Sequence, residues 1–194
     1  MRAALILLVG CGFHGSAGPT DASVDGAPGP DALDPDAPPP SPTATFVFEA
    51  EAFSGVTVGM AHANSWAIET TIPGHSGLGY LHLVPHDGDT CTIGTAGSCA
   101  TASYGALVTL PGTYYLHLRG YATGTNNDSV TIGMDGVPSS TTTAVPNDSA
   151  WHWLSPQSFT LTAGSHVAAM WQRESGVRID LVVLSRTTSD PALP

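Results

Sequence analysis

The sequence predicts an all-β fold, an antiparallel β-sandwich, over most of its 194 residues. From Phe46 onward, short runs of alternating apolar and polar residues are separated by turn residues. No apolar stripe of period 3.6 has a useful length, and the 22 Gly and 16 Pro favour turns over long helices. Many short strands joined by turns are typical of a sandwich, and a barrel is the alternative architecture.

Eight segments have the alternation of a β-strand. Turn dipeptides at Pro111-Gly112, Asp135-Gly136 and Ala163-Gly164 separate several of them. The predicted strands are Phe46–Phe53, Gly79–Val84, Tyr104–Leu110, Thr113–Arg119, Ser129–Asp135, Gln157–Thr162, Ser165–Gln172 and Val177–Leu184.

The last two predicted strands flank a charged turn, Glu174-Ser175-Gly176, and look like a strand pair. Arg173, Glu174, Arg178 and Asp180 are concentrated there, although the chain is otherwise poor in charge. Such a cluster at a strand end indicates ion pairing, metal binding or ligand binding.

The N-terminal segment resembles a bacterial lipoprotein signal. One Arg and an apolar run precede Leu8-Val9-Gly10-Cys11, which resembles a lipobox, so residues 1–10 are expected to be a signal peptide and Cys11 the lipidated residue. The Asp-, Pro- and Ala-rich residues that follow, up to 45, are expected to be a disordered linker. We therefore expect a lipid-anchored protein of the bacterial cell envelope, at the outer membrane or the cell surface.

Charge and cysteine content restrict the partners. The formal net charge of −11 disfavours nucleic acid and anionic headgroups. Apart from Cys11, the sequence has only Cys91 and Cys99, which an exported protein is expected to oxidise to a disulfide. Two buried free thiols are the alternative, and the spacing is not that of a zinc site.

Several segments in this order resemble the carbohydrate-binding modules of families 6 and 35 and their relatives, which have a galactose-binding-like jelly roll. The resemblance covers residues 46–186, so the predicted domain is 46–187, with 188–194 as a tail. It is carried by Phe48-Glu-Ala-Glu-Ala-Phe53, Gly77-Leu-Gly-Tyr-Leu81, Leu110-Pro-Gly-Thr-Tyr-Tyr-Leu-His-Leu-Arg-Gly120, Asn127-Asp-Ser-Val-Thr-Ile-Gly-Met-Asp-Gly136, Trp151-His-Trp153, Leu161-Thr-Ala-Gly-Ser-His166 and Arg173-Glu-Ser-Gly-Val-Arg-Ile-Asp180.

The resemblance implies a structural calcium ion held by Glu49, Glu51 and Asp180. If residues 46–53 form one strand, Glu49 and Glu51 face the same side, and a hard cation would relieve their repulsion. The alternative is two solvent-exposed acids on an edge strand.

The resemblance also implies a sugar site, at a loop end of the sandwich or on its concave face. Trp151 and Trp153 are the candidate stacking rings, and in a Trp-x-Trp strand both face one way, so one of them is expected in the core. Where many members carry Asn, this chain has Arg178, which either grips an acidic sugar or pairs with Glu174 or Asp180. Further ligand-binding candidates are Trp66, Asn126 and Asn127 in predicted loops, with Arg173 and Glu174 at the charged turn. For the Asn pair, turn formation is the alternative.

These expectations describe a non-catalytic, monomeric protein that binds a polysaccharide. An adhesin or scaffold that binds a protein partner through the same sandwich is the alternative. A glycan hydrolase fits the sequence less well. Its two catalytic carboxylates would have to be Glu49 and Glu51, and two carboxylates so close on one strand would not flank a substrate from opposite sides. The sequence has no Gly-x-Ser-x-Gly, phosphate-loop or His-Glu-x-x-His motif, and its eight His lack a ligand spacing.

Overall fold

A computed structural model describes residues 45–60, 63–92 and 98–194. In this part of the chain, twelve strands form two antiparallel sheets, and the predicted β-sandwich is confirmed. The predictions for the signal peptide, Cys11 and the linker up to residue 44 lie outside the described residues. The strands are β1 (Phe46–Glu49), β2 (Gly55–Thr57), β3 (Ser65–Glu69), β4 (Tyr80–Val84), β5 (Thr101–Val108), β6 (Gly112–Tyr121), β7 (Ser129–Met134), β8 (Val137–Ala144), β9 (His152–Trp153), β10 (Gln157–Leu161), β11 (Gly164–Gln172) and β12 (Arg178–Ser185).

The larger sheet, sheet A, has the order β10-β6-β12-β4-β3, with β9 added to β6 and β1 added to β12. The smaller one, sheet B, has the order β2-β5-β11-β7-β8. Neighbours in both sheets are mostly distant in sequence, so long-range pairing holds the fold together. None of the described helical segments has the length and apolar character needed to cross a bilayer.

The core lies between the two sheets and is built by alternation. Along β6, Tyr114, Leu116 and Leu118 point inward and are fully buried. Tyr104 of β5 meets them from the other sheet, and its hydroxyl donates to Ala50 O at 2.8 Å. Burial raises the pKa of Tyr104, so this phenol stays protonated and keeps donating.

The last two long strands do not form a hairpin pair. β11 belongs to sheet B and β12 to sheet A, so the turn at residues 173–177 carries the chain from one sheet to the other. A bulge lies between Ile179 and Leu181. It places Val182 and Leu184 in the core cluster, and the simple alternation predicted from the sequence is interrupted there.

The predicted opening strand, Phe46–Phe53, is wrong in its second half. β1 ends at Glu49, and Ala50–Ala52 forms one turn of 3-10 helix. Glu49 and Glu51 therefore do not lie two apart on one strand, and the argument that they share a strand face fails.

Four strands are absent from the sequence-based prediction: β2, β3, β8 and β9. β8 has the sequence Val-Pro-Ser-Ser-Thr-Thr-Thr-Ala and pairs only with β7, at the edge of sheet B. Most of its residues are at least partly exposed, so its sequence has no alternation of apolar and polar residues. β2 and β9 have three and two residues, too few for a pattern to register.

The predicted disulfide is confirmed between Cys91 and Cys99, whose Cα atoms are 5.7 Å apart. Cys91 N donates to Arg173 O at 2.8 Å, and Thr90 forms an isolated bridge with Glu174. The disulfide therefore lies beside the charged turn that connects the two sheets.

Candidate functional site

The candidate site is a row of side chains across the outer face of sheet A. Arg178 of β12 lies directly opposite Tyr121 of β6 on one side and His82 of β4 on the other. Core residues such as Leu81 and Ile179 alternate with them, so the three side chains point away from the core. Together with Glu69 of β3, we call these residues the polar stripe.

His82 and Glu69 fix the protonation pattern at one end of the polar stripe. His82 Nδ1 and Glu69 Oε1 are 2.8 Å apart, and Tyr80 donates its hydroxyl to Glu69 Oε2 at 3.1 Å. The hydrogen bond from His82 holds the pKa of Glu69 below its usual value, so the carboxylate accepts and His82 Nδ1 carries the proton. Burial lowers the pKa of His82, so the ring is neutral at pH 7 and Nε2 keeps a lone pair.

Two polar atoms of the polar stripe are buried without a hydrogen-bond partner in the protein. They are His82 Nε2, an acceptor, and Arg178 Nε, a donor. Side chains directly opposite on neighbouring strands lie about 5 Å apart. Orphaned buried polar atoms are rare and costly in native structures. The described residues hold three more of them, Glu51 Oε2, Trp66 Nε1 and His117 Nδ1, so this pair points to a polar partner only together with its position beside the aromatic rings.

Aromatic rings form a wall beside the polar stripe. The half-buried ring of Trp151 has its centroid 5.2 Å from that of Tyr121 and 5.4 Å from that of Tyr80. Trp151 Nε1 donates to Pro73 O at 3.0 Å, and the Arg119 guanidinium lies over the ring at 5.5 Å. Arg178 in turn lies 5.6 Å from the Tyr121 centroid. These contacts fix the rings before any ligand arrives.

The loop of residues 73–79 connects this wall to the three predicted carboxylates. Ser76 Oγ donates to Glu49 Oε2 at 2.6 Å, and Ser76 N donates to Asp180 Oδ1 at 2.8 Å. Leu78 N donates to Glu51 Oε1 at 2.7 Å. A Cβ at Gly77, whose φ is +57°, would lie 2.5 Å from Glu51 Oε1, so only glycine fits between the carboxylates.

Asp180 is neutralised by Arg119. The carboxylate is fully buried, and its Oδ2 accepts from Arg119 Nη1 at 2.5 Å. The same Nη1 donates to Gly74 O at 2.9 Å. Arg119 therefore joins β6, β12 and the loop, and it leaves Asp180 with both oxygens engaged.

The oxygens that remain open to a cation belong to the other two carboxylates. Glu51 Oε2 is buried and accepts no hydrogen bond, and the two carboxylates meet at Gly77. In the described ranges no group of three or more His, Cys, Asp or Glu is close enough to hold a metal. The two glutamate carboxylates supply hard oxygen donors of the kind that calcium prefers, whereas Asp180 is neutralised by Arg119 and is linked to Glu49 only through Ser76.

Comparisons with solved structures identify the fold. A crystal structure of a Podospora anserina GH26-CBM35 β-(1,4)-mannanase matches with a TM-score of 0.55 and 18% identity, over 77% of this chain and 29% of the mannanase. CBM35 from Cellvibrio japonicus Abf62 matches with a TM-score of 0.54 and 16% identity, over 77% of this chain and 100% of that one. The C-terminal CBM6 of LamC, a marine laminarinase from Zobellia galactanivorans, matches with a TM-score of 0.53 and 14% identity, over 73% of this chain and 99% of that one.

The chain has the fold of a carbohydrate-binding module. The fold-level resemblance drawn from the sequence is thereby confirmed, and the match spans 99–100% of the length of several solved modules. No protein-family model matches the sequence, and no curated protein is significantly similar to it.

The module places the two predicted stacking rings on one side, outside the core. Trp153 of β9 lies against His117, with centroids 6.5 Å apart, whereas Trp151 precedes the strand and borders the polar stripe. Both rings are half-buried, so the expectation that one of them packs in the core is wrong.

Two other predicted site residues have structural positions in the module. Trp66 was expected in a loop, but it lies in β3, is 4% exposed and belongs to the core cluster, so its ring cannot stack on a sugar. Asn127 is 2% exposed and accepts from Thr123 N and Gly124 N, which makes it a turn-forming residue. Its neighbour Asn126 is exposed.

The charged turn contains an ion pair, as one sequence-based alternative expected, but the pair joins Glu174 to Arg173 and not to Arg178. Glu174 is buried, pairs with Arg173 and accepts from Ser129 Oγ at 2.6 Å, away from the polar stripe. Arg178 forms no ion pair with Glu174 or Asp180 among the described contacts, and donates instead to Gly176 O at 3.1 Å. The charged turn thus supplies one residue to the candidate site, Arg178.

Sequence reasoning missed His82, Tyr121 and Glu69. These residues come from three strands far apart in the sequence, and only the strand order brings them next to Arg178. No local motif marks them.

Proposed function

We propose that the chain binds neutral polysaccharides through the polar stripe and the Trp151–Tyr121 wall. The observation that supports this most directly is the pair of unpartnered atoms, His82 Nε2 and Arg178 Nε, beside preformed aromatic surface. A sugar hydroxyl is both a donor and an acceptor, so one hydroxyl or a vicinal pair can satisfy the imidazole and the guanidinium together.

Charge favours a neutral sugar over an acidic one. Glu69 lowers the local potential next to Arg178, and the whole chain carries a formal charge of −11. An anion would approach against this field. The aromatic wall supplies the apolar contact that the C–H face of a pyranose requires.

Affinity electrophoresis tests this proposal. The full chain is run in gels containing β-1,4-mannan or laminarin, the polymers named by the enzymes in two of the similar structures. Wild type should be retarded, and Arg178→Ala and Tyr121→Ala should run freely with an unchanged thermal unfolding midpoint.

Arg186→Ala is the matched control. Arg186 also lies over a tyrosine ring, 5.8 Å from the centroid of Tyr114, and it is exposed and outside the polar stripe. Retardation equal to wild type in Arg178→Ala, or loss of it in Arg186→Ala, would contradict the proposed site.

We also propose that calcium binds at Glu49 and Glu51 and holds the loop of residues 73–79. The ion would supply positive charge where two carboxylates meet, and the chain's own residues hold the loop through Ser76, Leu78 and Asp180. A ligand bound only by the native state stabilises it by mass action, about 2.7 kcal/mol at a hundredfold excess over Kd.

Chelation checks the cation. EDTA should lower the unfolding midpoint, and CaCl2 rather than MgCl2 should restore it. Glu51→Gln should show a low midpoint that neither treatment moves. If EDTA does not change the unfolding midpoint of the wild type, calcium does not bind there. Sugar binding is tested independently by affinity electrophoresis.

The lipid anchor at Cys11 and the cell-envelope location remain part of the proposal. They are supported by the lipobox-like Leu8-Val9-Gly10-Cys11 and the low-complexity residues after it. Cys11→Ser should release the protein from the membrane fraction, and persistence there would refute the anchor.

A further inference from the structure

The outer face of sheet B carries a cleft, on the opposite side of the sandwich from the polar stripe. Its volume is about 500 Å³, within the range of small-ligand sites. The lining is rich in hydroxyl groups and includes one guanidinium: Thr92, Thr131, Ser139, Ser140, Thr142 and Arg173.

A tryptophan lies one strand away from this cleft, opposite one of its lining residues. Trp171 of β11 lies directly opposite Thr131 of β7, which in turn lies opposite Thr142 of β8. Met170 beside it points into the core, so Trp171 points outward, and its ring is half-buried. Unlike Trp151 and Trp153, it makes no ring contact with another described aromatic or cationic side chain.

Arg173 is held in place beside the cleft by its neighbours. It directly follows the last residue of β11 and lines the cleft, and its side chain is 41% exposed. Nη1 donates to Ser129 Oγ at 2.9 Å and pairs with Glu174, which offsets the charge. The planar guanidinium is an N–H donor of fixed direction, and because Glu174 offsets its positive charge it should attract anions only weakly.

From this geometry we propose a second sugar-binding site, formed by Trp171, Arg173 and the exposed hydroxyl groups of Ser140 and Thr142. It rests on the proposed function, and its ligand is a neutral pyranose of the same class. The indole ring covers the C–H face, and the guanidinium and hydroxyl groups contact the sugar hydroxyls. With sites on opposite faces, one chain would bridge two polysaccharide strands and gain avidity without new contacts.

Indole NMR signals test the two sites independently. The chain has four Trp, and Trp66 in the core serves as the fold reference. The 15N-labelled full chain is titrated with mannohexaose and with laminarihexaose. We expect saturable shifts of both the Trp151 and the Trp171 indole signals, and Arg178→Ala should abolish the first while sparing the second.

Conservative variants localise the second site. Thr142→Val removes one hydroxyl on an exposed edge strand and should weaken the Trp171 response about three- to tenfold, the effect of one lost hydrogen bond. Thr160→Val, an exposed threonine of β10 in the other sheet, is the matched control and should change neither response.

Each outcome is decisive. A shift of Trp151 alone overturns the second site and leaves the proposed function standing. A shift of Trp171 alone, lost in Thr142→Val, supports the second site and overturns the polar stripe. If neither indole signal moves with either sugar at millimolar concentration, both sites are wrong for this ligand class.

Discussion

The outer faces of the two sheets are built in different ways. On sheet A, ion pairs and rings are locked together, because Arg119, Asp180 and Trp151 all contact the loop of residues 73–79. On sheet B, the outer face carries many hydroxyl groups and small side chains, with larger groups spaced apart at Leu107, Val167, Trp171 and Arg173. The comparison indicates that sheet A has its rings fixed before a ligand binds, whereas sheet B offers an open and lightly packed surface. The two faces should therefore respond very differently to substitution.

The largest expected difference concerns buried charge. Asp180→Asn leaves Arg119, which is 12% exposed, without its carboxylate and should cost about 3–5 kcal/mol of unfolding free energy. On sheet B, Asp135→Asn weakens a pair with His166 in which the aspartate is 45% exposed, and should cost less than about 1 kcal/mol. Urea unfolding measures both. Equal losses would show that the two faces are not built differently.

The disulfide should matter next. Cys91 and Cys99 close a loop with a sequence separation of 8, which stabilises by about 2.5 kcal/mol in the chain-entropy model. Because Cys91 also lines the sheet B cleft, the Cys91→Ser, Cys99→Ser double variant should weaken the Trp171 response to sugar and spare that of Trp151. Urea unfolding and the indole titration provide the two readings. If the double variant instead weakened the Trp151 response, the disulfide would support the sheet A site and the prediction would be wrong.

Two histidines should give smaller effects of opposite sign. Burial holds the pKa of His82, on sheet A, below its usual 6.5. The unfolded chain therefore binds the proton more readily, and stability falls as pH drops through 6.5 towards the lower folded pKa. Protonation also turns Nε2 into a donor, so sugar binding at the polar stripe should weaken over the same interval. His82→Gln should flatten both profiles, and an unchanged binding profile in wild type would argue against the acceptor role.

The sheet B histidine should give the smallest effect. The hydrogen bond to Asp135 raises the pKa of His166 above 6.5. Its stabilising contribution is complete below 6.5 and disappears as pH rises through the raised folded pKa. Because the Asp135 carboxylate is 45% exposed and solvent screens the pair, the change should be near the detection limit of thermal unfolding, and 15N-HSQC titration of the imidazoles is the better measurement. A lowered pKa at His166 would contradict the assignment.

The long alternating strands were predictable, and the connections between them were not. β6 and β11 stood out because each is a long apolar-rich run bounded by turn residues, although burial alternates over only part of each strand. β8 did not, because an edge strand rich in Ser and Thr shows no burial pattern. The crossing at residues 173–177 looked like a hairpin turn, since local sequence does not specify which sheet receives the next strand.

The candidate site was predictable only where a residue type was unusual in itself. Arg178 stood out because the chain has five basic residues, and Trp151 because it belongs to a Trp-x-Trp pair. His82 and Tyr121 become neighbours of Arg178 through strand order, and Ser76 reaches Asp180 across 104 positions of sequence. Such contacts depend on the packed fold and leave no local signal.

The pairing of β1 with β12 has a mechanical consequence. β1 follows directly on the N-terminal residues and pairs antiparallel with β12 through four residues, from Phe46 opposite Leu184 to Glu49 opposite Leu181. A pull along the axis of β1, applied through the preceding chain while a ligand holds sheet A, would load all of these backbone hydrogen bonds at once. Bonds loaded in shear must break together, whereas bonds peeled from one end break singly. The first strand is therefore placed to transmit tension from the N-terminal segment into the sheet that carries the polar stripe.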